Sequence, residues 1–326
     1  MSPLFKRKSS SLLLAVFASV VFIITGCGSN DSSDKAENNA SDNSESNQTR
    51  TMTDALGNEV EIPANPDNVI ASYLEDNLVA LDITPAAQWS VNNGSPQGYL
   101  QDSLKDVPTI DSTLPFEAVA SYKPDLIIMD SASMVEGDKY DQYNKIAPTY
   151  VMGTEENGDW RKELQTVGEI FGKEDKAQQV LDDYDAKAAE AKEQIQQAIG
   201  DESAAAIWLV GGKLYIVNEN LSSGAVLYGD LGITVPEGVK EISEGAAANW
   251  NEVSLEQLAT MDVDHLFLIN SDEGDGSEIL EDPLLANVPA IKEGNVYKYD
   301  KDTSWLYTGP VANEQIVDDA VESLVE

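Results

Sequence analysis

Seven short apolar runs alternate along the chain with stretches whose apolar residues have helical spacing. Such runs predict buried strands, and their alternation with helices predicts α/β layers on largely parallel sheets. Ahead of them, residues 51–66 predict a hairpin, with Gly57 and Asn58 at the turn and Val60 and Ile62 alternating with acidic residues. The predicted buried strands are residues 68–72, 126–129, 149–152, 205–210, 214–217, 266–269 and 296–299.

Residues 173–199 carry the longest helical pattern, without an internal proline or glycine and with Gly200 at the end. Its position near the middle of the chain predicts a bridge between two lobes, and the alternative is a coiled-coil partner helix. Apolar residues follow three-and-four spacing at Ala177, Val180, Leu181, Tyr184, Ala188, Ala191, Ile195 and Ala198.

Residues 116–129 and 255–268, one segment on each side of this helix, repeat the same pattern. Each predicts a short helix, a turn that ends in aspartate and a buried strand. Two related halves joined by one helix predict two Rossmann-like α/β lobes with a ligand cleft between them. The matching residues are Glu117 with Glu256, Val119 with Leu258, Ala120 with Ala259 and Asp125 with Asp264.

The N-terminus has the pattern of a secretory signal. Lys6, Arg7 and Lys8 precede an apolar run, residues 12–24, which is too short to span a membrane. Small residues then lead to Cys27, the single cysteine, as in a bacterial lipobox, where the cysteine is diacylated and becomes the mature N-terminus. We therefore expect an extracytoplasmic protein that is lipid-anchored to the cell membrane, of the Gram-positive type. The alternative is ordinary cleavage that leaves Cys27 as a bystander thiol.

Composition divides the chain further. Residues 27–50 are almost all polar, which predicts a disordered tether. Without the signal, 17 basic residues face 58 acidic ones, a net charge of −41 that argues against nucleic-acid binding. The predicted domain organisation is a signal peptide at residues 1–26, the tether at 27–50, an N-terminal lobe at 51–155, linker helices at 156–200 and a C-terminal lobe at 201–326.

The folded part also carries an ordered set of sequence features. The features are Thr53, Asp54, Gly57, Val60, Ile62, Pro63, Pro66, Val69 and Ile70, then residues 124–128 and 291–296. In this order they resemble the substrate-binding proteins of ABC importers for iron-siderophores and cobalamin, over residues 51–326. The resemblance implies a rigid connecting helix, a shallow cleft, a monomer, and a permease with ATPase subunits as partners.

The same resemblance assigns a role to Glu117 and Glu256, because one glutamate on each lobe of these proteins docks onto arginines of the permease. Charges across an interface fix its register and steer encounter more than they add affinity. The alternative is that both are solvated surface acids.

Several site classes are disfavoured. His265 is the single histidine and falls in a predicted strand, where we expect a core residue. Zinc or manganese sites need several histidine and carboxylate ligands, and a hydrolase triad needs a histidine. Together with the absence of a nucleophile elbow, this predicts a binding protein that is not an enzyme and has no cofactor or protein-bound metal.

Aromatic residues after predicted strands and in polar turns predict a site for an iron chelate, which surrounds its metal with CH₂ chains. Core packing is the alternative for each. The predicted ligand-binding residues are Trp89, Asn92, Trp208, Tyr215, Trp250, Trp305 and Tyr307.

Arginine is scarce, which bears on the charge of the ligand. Outside the signal only Arg50, in the predicted tether, and Arg161, at the start of the linker helices, remain. An anionic chelate needs paired cations when it leaves water, so a neutral or cationic ferric hydroxamate is favoured. Ferric catecholate, ferric citrate and cobalamin remain alternatives, since Lys139, Lys213 and Lys301 could serve an anion. An exported enzyme or a surface interaction protein is the alternative of another class.

Overall fold

The computed structural model describes residues 49–91, 94–154, 158–245 and 248–325. The first half contains β1 (Arg50–Thr53), β2 (Glu59–Ile62), β3 (Val69–Ser72), α1 (Glu75–Ala80), β4 (Gln88–Val91), β5 (Ser95–Pro96), α2 (Gln101–Leu104), β6 (Thr109–Asp111), α3 (Phe116–Ser121), β7 (Leu126–Ser131), α4 (Lys139–Asn144) and β8 (Thr149–Gly153). Two linker helices follow, α5 (Trp160–Phe171) and α6 (Glu174–Ile199). The second half contains β9 (Ala204–Val210), β10 (Lys213–Val217), α7 (Ser222–Gly224), which a π-helical turn (Ala225–Asp230) continues, α8 (Glu237–Glu244), β11 (Trp250–Val253), α9 (Leu255–Ala259), β12 (His265–Asn270), α10 (Ser277–Leu280), α11 (Pro289–Glu293), β13 (Val296–Asp300) and α12 (Pro310–Val325).

The sheets agree with the predicted α/β fold of two lobes. In the first half β3, β7 and β8 form a parallel sheet, β4 pairs in parallel with β6, and β1 and β2 form the predicted hairpin. In the second half the strand order is β11-β10-β9-β12-β13. There β9, β12 and β13 are parallel, whereas β10 and β11 are antiparallel. The seven predicted strands are all present.

The internal repeat is structural as well as sequential. Asp125 accepts hydrogen bonds from the backbone N–H groups of Asp67 (3.0 Å) and Asn68 (3.2 Å), directly ahead of β3. In the second half Asp264 accepts from the N–H (2.8 Å) and hydroxyl (2.9 Å) of Ser203, directly ahead of β9. Each aspartate therefore connects the start of its own strand to the start of the parallel neighbouring strand by hydrogen bonds.

Helix α6 is the bridge that the apolar spacing predicts. Six of the eight predicted stripe residues are buried, whereas Val180 is partly buried and Ala198 is exposed. Lys187 on α6 forms ion pairs with Glu314 (3.0 Å) and Asp318 (2.6 Å) on α12. The stripe joins a core cluster that contains residues of both halves. The face that a coiled-coil partner would cover is thus covered by the chain itself.

The sequence pattern missed the short strands β4, β5, β6 and β11. Trp89 therefore lies in a strand, not in a turn, and Trp250 lies in the strand that precedes α9. Arg50 lies in β1, not in the tether, and its guanidinium donates to the carbonyl of Ile170 at 2.6 Å. The four residues of β1 carry little apolar pattern, and their strand conformation depends on pairing with β2.

Over the described ranges no helix is long and apolar enough to cross a membrane. The described residues also hold no group of three or more histidine, cysteine, aspartate and glutamate side chains that could bind a metal ion.

Candidate ligand-binding cleft

A cavity of about 490 Å³ opens where the first half, the start of α5 and the second half meet. Small-molecule sites have volumes in this range and combine apolar walls with a few fixed polar groups. The lining residues are Tyr73, Asn77, Asp130, Gly158, Asp159, Trp160, Arg161, Glu163, Glu219, Asn220, Leu221, Ser222, Ala225, Val226, Tyr228, Gly229, Asp230, Val235, Asn249, Leu306, Thr308 and Asn313.

Buried polar side chains from both halves reach this cavity. Asn77 of α1 is 3% exposed, Asn313 of α12 is 1% exposed and Ser222 of α7 is 5% exposed. Within the described part of the chain, the amide oxygens of Asn77 and Asn313 and the hydroxyl of Ser222 have no hydrogen-bond partner. Buried polar groups are normally satisfied, so these three point to a ligand that completes them.

The N-terminus of α5 forms another wall. The Asp159 carboxylate caps this helix by accepting the backbone N–H of Arg161 at 3.1 Å. Trp160 is 8% exposed and packs edge-on against Tyr184 at 5.0 Å between ring centroids.

Arg161 lines the cavity, but its guanidinium is already engaged by neighbouring side chains. It contacts Asp185 at 3.0 Å and Asp230 at 3.3 Å. It also lies over the ring of Trp160 at 4.4 Å and the ring of Tyr184 at 5.2 Å. Two carboxylates and two rings therefore already surround the one basic side chain that the described residues place on the cavity.

The cavity is acidic. Asp130, Asp159, Glu163, Glu219 and Asp230 all line it. Burial, together with the charges of Asp130 and Asp159, raises the pKa of Glu163 to about 7. A carboxyl group with a raised pKa in a cleft is typical of a functional site.

A buried carboxylate joins the two halves beside the cavity. Asp76 of α1 is 2% exposed and accepts the backbone N–H groups of Val311 (2.8 Å) and Ala312 (2.9 Å) at the start of α12. The hydroxyl of Tyr99 donates to it at 2.8 Å. Burial raises the pKa of Asp76 to about 6 against these hydrogen bonds, which lower it. The first turn of α12 is thus anchored on the first half of the chain.

Trp89 does not line the cavity itself but packs against a ring that does. It packs edge-on against Tyr73, with centroids 5.3 Å apart, and Tyr73 is the residue that lines the cavity. Tyr73 is 40% exposed and has a φ of 67°, a conformation that is uncommon for a residue with a large side chain.

Three of the predicted aromatic residues form a cluster on neighbouring strands of the second half. Trp208 of β9 is paired across the strands with Tyr215 of β10, with ring centroids 5.7 Å apart. Trp250 of β11 is 6.1 Å from Trp208. The indole N–H of Trp208 donates to Ser271 at 2.8 Å. The structure brings these rings together, but none of the three is among the residues that line the cavity.

Trp305 requires a correction, because it lies in the core and not on the cleft. Its exposure is 0%, its ring stacks on Phe267 at 4.6 Å, and its indole N–H donates to Asp319 at 2.8 Å. Tyr307 packs on Tyr99 of the first half at 5.0 Å, between the cavity residues Leu306 and Thr308.

The remaining predicted positions are Asn92, Cys27 and three lysines. Asn92 and Cys27 lie outside the described residues. Lys213 pairs with Glu252 at 2.9 Å and Lys301 with Asp302 at 3.0 Å, while Lys139 begins α4. None of these three lysines lines the cavity.

Sequence reasoning missed Trp160, Glu163 and the buried amides, and placed Arg161 only on the linker. One signal was available for the α5 residues. A chain that leaves one lobe for a connecting helix must pass the cleft, and Gly158 and Asp159 mark that crossing. No comparable signal existed for Asn77 and Asn313, because helix spacing does not show which buried amide lacks a partner.

Glu117 and Glu256 occupy equivalent places. Each is the second residue of its helix, α3 or α9, and each is exposed. Two residues later Val119 and Leu258 are buried and hold the helices against their sheets. The matched sequence positions are therefore matched surface positions.

Comparison with known proteins gives a consistent result. A family model described as periplasmic binding protein matches residues 72–303. The probable siderophore-binding lipoprotein YfiY of Bacillus subtilis is 29% identical over 326 residues, which cover 95% of this chain and 96% of that protein. The iron(3+)-hydroxamate-binding protein FhuD of Bacillus subtilis is 28% identical over 320 residues, with 96% and 97% covered. A crystal structure of a FhuD fold-family protein from Bacillus subtilis, a component of a Fep/Fec-like ferrichrome ABC transporter, matches with a TM-score of 0.70 at 26% identity, covering 84% of this chain and 100% of that chain.

Proposed function

Because the chain belongs to the periplasmic binding protein family, we propose that it captures a ferric siderophore outside the cytoplasm and delivers it to an ABC permease with its ATPase subunits. The observation that carries the proposal is the cavity of about 490 Å³ between the two halves, which has aromatic walls and buried polar groups without partners. Such a site suits a chelate that brings its own iron ligands, since the described residues offer no metal-binding cluster.

A hydroxamate is the favoured chelator. Catecholate and citrate complexes of Fe(III) are anions, and burying an anion without a paired cation is costly. Arg161 is held by Asp185 and Asp230, and several carboxylates line the same cavity. The relatives named as iron(3+)-hydroxamate-binding proteins support the same choice.

Trp160 provides the direct test of capture. Titration of the mature protein with ferrichrome or ferrioxamine is expected to quench tryptophan fluorescence saturably at sub-micromolar chelate. The substitution Trp160→Phe is expected to remove most of this quenching, because Trp160 lines the cavity. Trp208→Phe, at a partly buried position away from the cavity lining, is the matched control.

Other chelates separate the alternatives. Quenching by ferric citrate or a ferric catecholate alone would retain the binding function and reject the hydroxamate preference. Cobalamin should give no signal. If no ferric chelate quenches the protein, the proposed function is wrong.

The proposal includes an anchor and a docking surface. We propose that Cys27 is diacylated and tethers the folded part, residues 51–326, to the membrane through residues 27–50. We also propose that Glu117 and Glu256 contact basic residues of the permease, one from each lobe. The support is their exposed, equivalent placement on α3 and α9.

A further inference from the structure

We infer that the cleft selects a ferric chelate with a net positive charge, and that Asp159 and Glu163 at the start of α5 recognise its cationic group. This inference rests on the proposed siderophore function and adds the charge class of the substrate. It also assigns the specificity to particular carboxylates, whereas composition alone predicts only that a cation would be tolerated.

The first step is the state of the one basic residue of the cavity. Arg161 has two carboxylates within 3.3 Å and two aromatic rings around its guanidinium. An anionic ligand would have to displace the exposed Asp185 and the more buried Asp230 from the guanidinium. Asp230 is in addition held by the hydroxyl of Tyr184 at 2.7 Å. The arrangement therefore offers an anion no ready partner.

The second step concerns the carboxylates of the same wall. A helix N-terminus attracts anions, but the side chain of Asp159 already caps α5, and Glu163 lies in its first turn. Among the described residues, Asp159 has one ion partner, the exposed Lys162, at 3.2 Å. No side chain of the described residues donates to the Glu163 carboxylate, which is partly buried and repelled by Asp130 and Asp159. A ligand cation would relieve that repulsion.

The third step is an independent sign that a ligand belongs here. Asn77, Asn313 and Ser222 present two carbonyl oxygens and a hydroxyl, all buried, which find no partner in the described chain. Carbonyl oxygens accept hydrogen bonds, so the ligand must bring N–H or O–H donors. A chelate with amide N–H groups along its chain and an ammonium at one end meets both the amide oxygens and the carboxylates.

Two forms of one chelate test the inference. Ferrioxamine B carries a pendant ammonium and is a monocation, whereas its N-acetyl derivative has the same iron coordination and is neutral. At pH 8 and low salt, isothermal titration of the mature protein is expected to show about tenfold tighter binding of the monocation. Raising the salt concentration should shrink this preference, because the carboxylates are partly exposed to solvent.

Substitutions test which residues cause the preference for the monocation. Asp159→Asn and Glu163→Gln together are expected to bring the two affinities within about twofold of each other, because the amides no longer attract the ammonium group. Glu169→Gln, at an exposed position of the same helix away from the cavity, should keep the tenfold preference.

The outcomes of these titrations distinguish a failure of the inference from a failure of the proposed function. Equal binding of the two forms by the unsubstituted protein overturns the inference and leaves siderophore capture intact. Tighter binding of an anionic ferric chelate also overturns it, because Arg161 would then have exchanged its partners for the ligand. Failure to bind either hydroxamate form counts against the proposed function itself.

Discussion

Glu75 shows at the scale of one residue how burial changes a carboxyl group. It is fully buried, and one oxygen accepts the backbone N–H of Trp89 at 2.6 Å. The other oxygen has no partner among the described residues. Burial outweighs the hydrogen bonds and raises the pKa of Glu75 to about 7. The folded protein therefore keeps a proton that the unfolded chain releases.

The pH dependence of stability follows with a definite sign. Below about pH 4.5 Glu75 is protonated in both states and contributes no slope. Between that pH and about 7 the folded state binds more protons, so the free energy of unfolding falls as pH rises. Glu75→Gln keeps the acceptor oxygen and cannot ionise. It is expected to exceed the unsubstituted protein in stability by about 2–3 kcal/mol at pH 8, and to match it near pH 4.

Urea denaturation of a Cys27→Ser mature protein across pH 4–8 measures this difference. Asp76, Glu163 and Asp319 also have pKa values raised by burial. The free energy of unfolding of the unsubstituted protein should therefore fall more steeply with pH than the titration of Glu75 alone requires. If the free energies of unfolding of Glu75→Gln and of the unsubstituted protein run parallel across this pH range, ionisation of Glu75 does not destabilise the folded state.

At the scale of elements, the short helices α3 and α9 carry the proposed docking surface. Both are held by a buried residue on one side and present a glutamate on the other. Helix α9 is further fixed by a capping box, in which Ser254 and Gln257 bond each other's backbone N–H groups. Rigid placement of one charge on each lobe would fix how the protein sits on a permease.

Replacement of both glutamates tests this surface. Glu117→Ala together with Glu256→Ala is expected to reduce cellular uptake of the ferric chelate at least tenfold, because neither side chain lines the cavity and the loss falls on the permease contact alone. Chelate affinity of the purified variant should not change. Glu241→Ala, exposed on α8, should leave uptake intact. Full uptake by the double variant would mean that these are ordinary surface acids.

At the scale of the whole molecule, three contacts limit the relative movement of the two halves. Helix α6 joins a core shared by both, and Asp76 anchors the start of α12. Gly98 lies so close to Asp302 that a Cβ at this position would be 2.5 Å from the side chain of Asp302. A single helical connection with such contacts resists the hinge bending that wide closure requires.

Small-angle scattering with and without ligand measures this closure. The radius of gyration of the unsubstituted protein is expected to remain constant within error when the chelate binds. Asp76→Ala leaves two backbone N–H groups and the Tyr99 hydroxyl without an acceptor, and should lower the free energy of unfolding by about 2–4 kcal/mol. In this variant the two halves should also move closer together when the chelate binds, which would measurably lower the radius of gyration. A large decrease in the unsubstituted protein would contradict the rigid arrangement.

The sequence alone determined the strands, the long helix and the repeat of Glu117 with Glu256, because these depend on local periodicity. Strand and helix spacing reports which residues of one element share a face. The sequence also showed that arginine is scarce. Accordingly, the described residues that line the cavity include several carboxylates and one arginine. Short strands such as β4 and β6 were not predicted, since their conformation depends on pairing with a strand about twenty residues away.

Only the tertiary structure decided which polar-turn aromatic residue faces the cleft and which packs in the core. Trp305 and Trp160 each follow a polar residue in the sequence, yet one is stacked on Phe267 and the other lines the cavity. The buried amides of Asn77 and Asn313 meet at the cavity from helices that are more than two hundred residues apart in the chain. Contacts at such separation arise from packing of whole elements, and no local pattern encodes them.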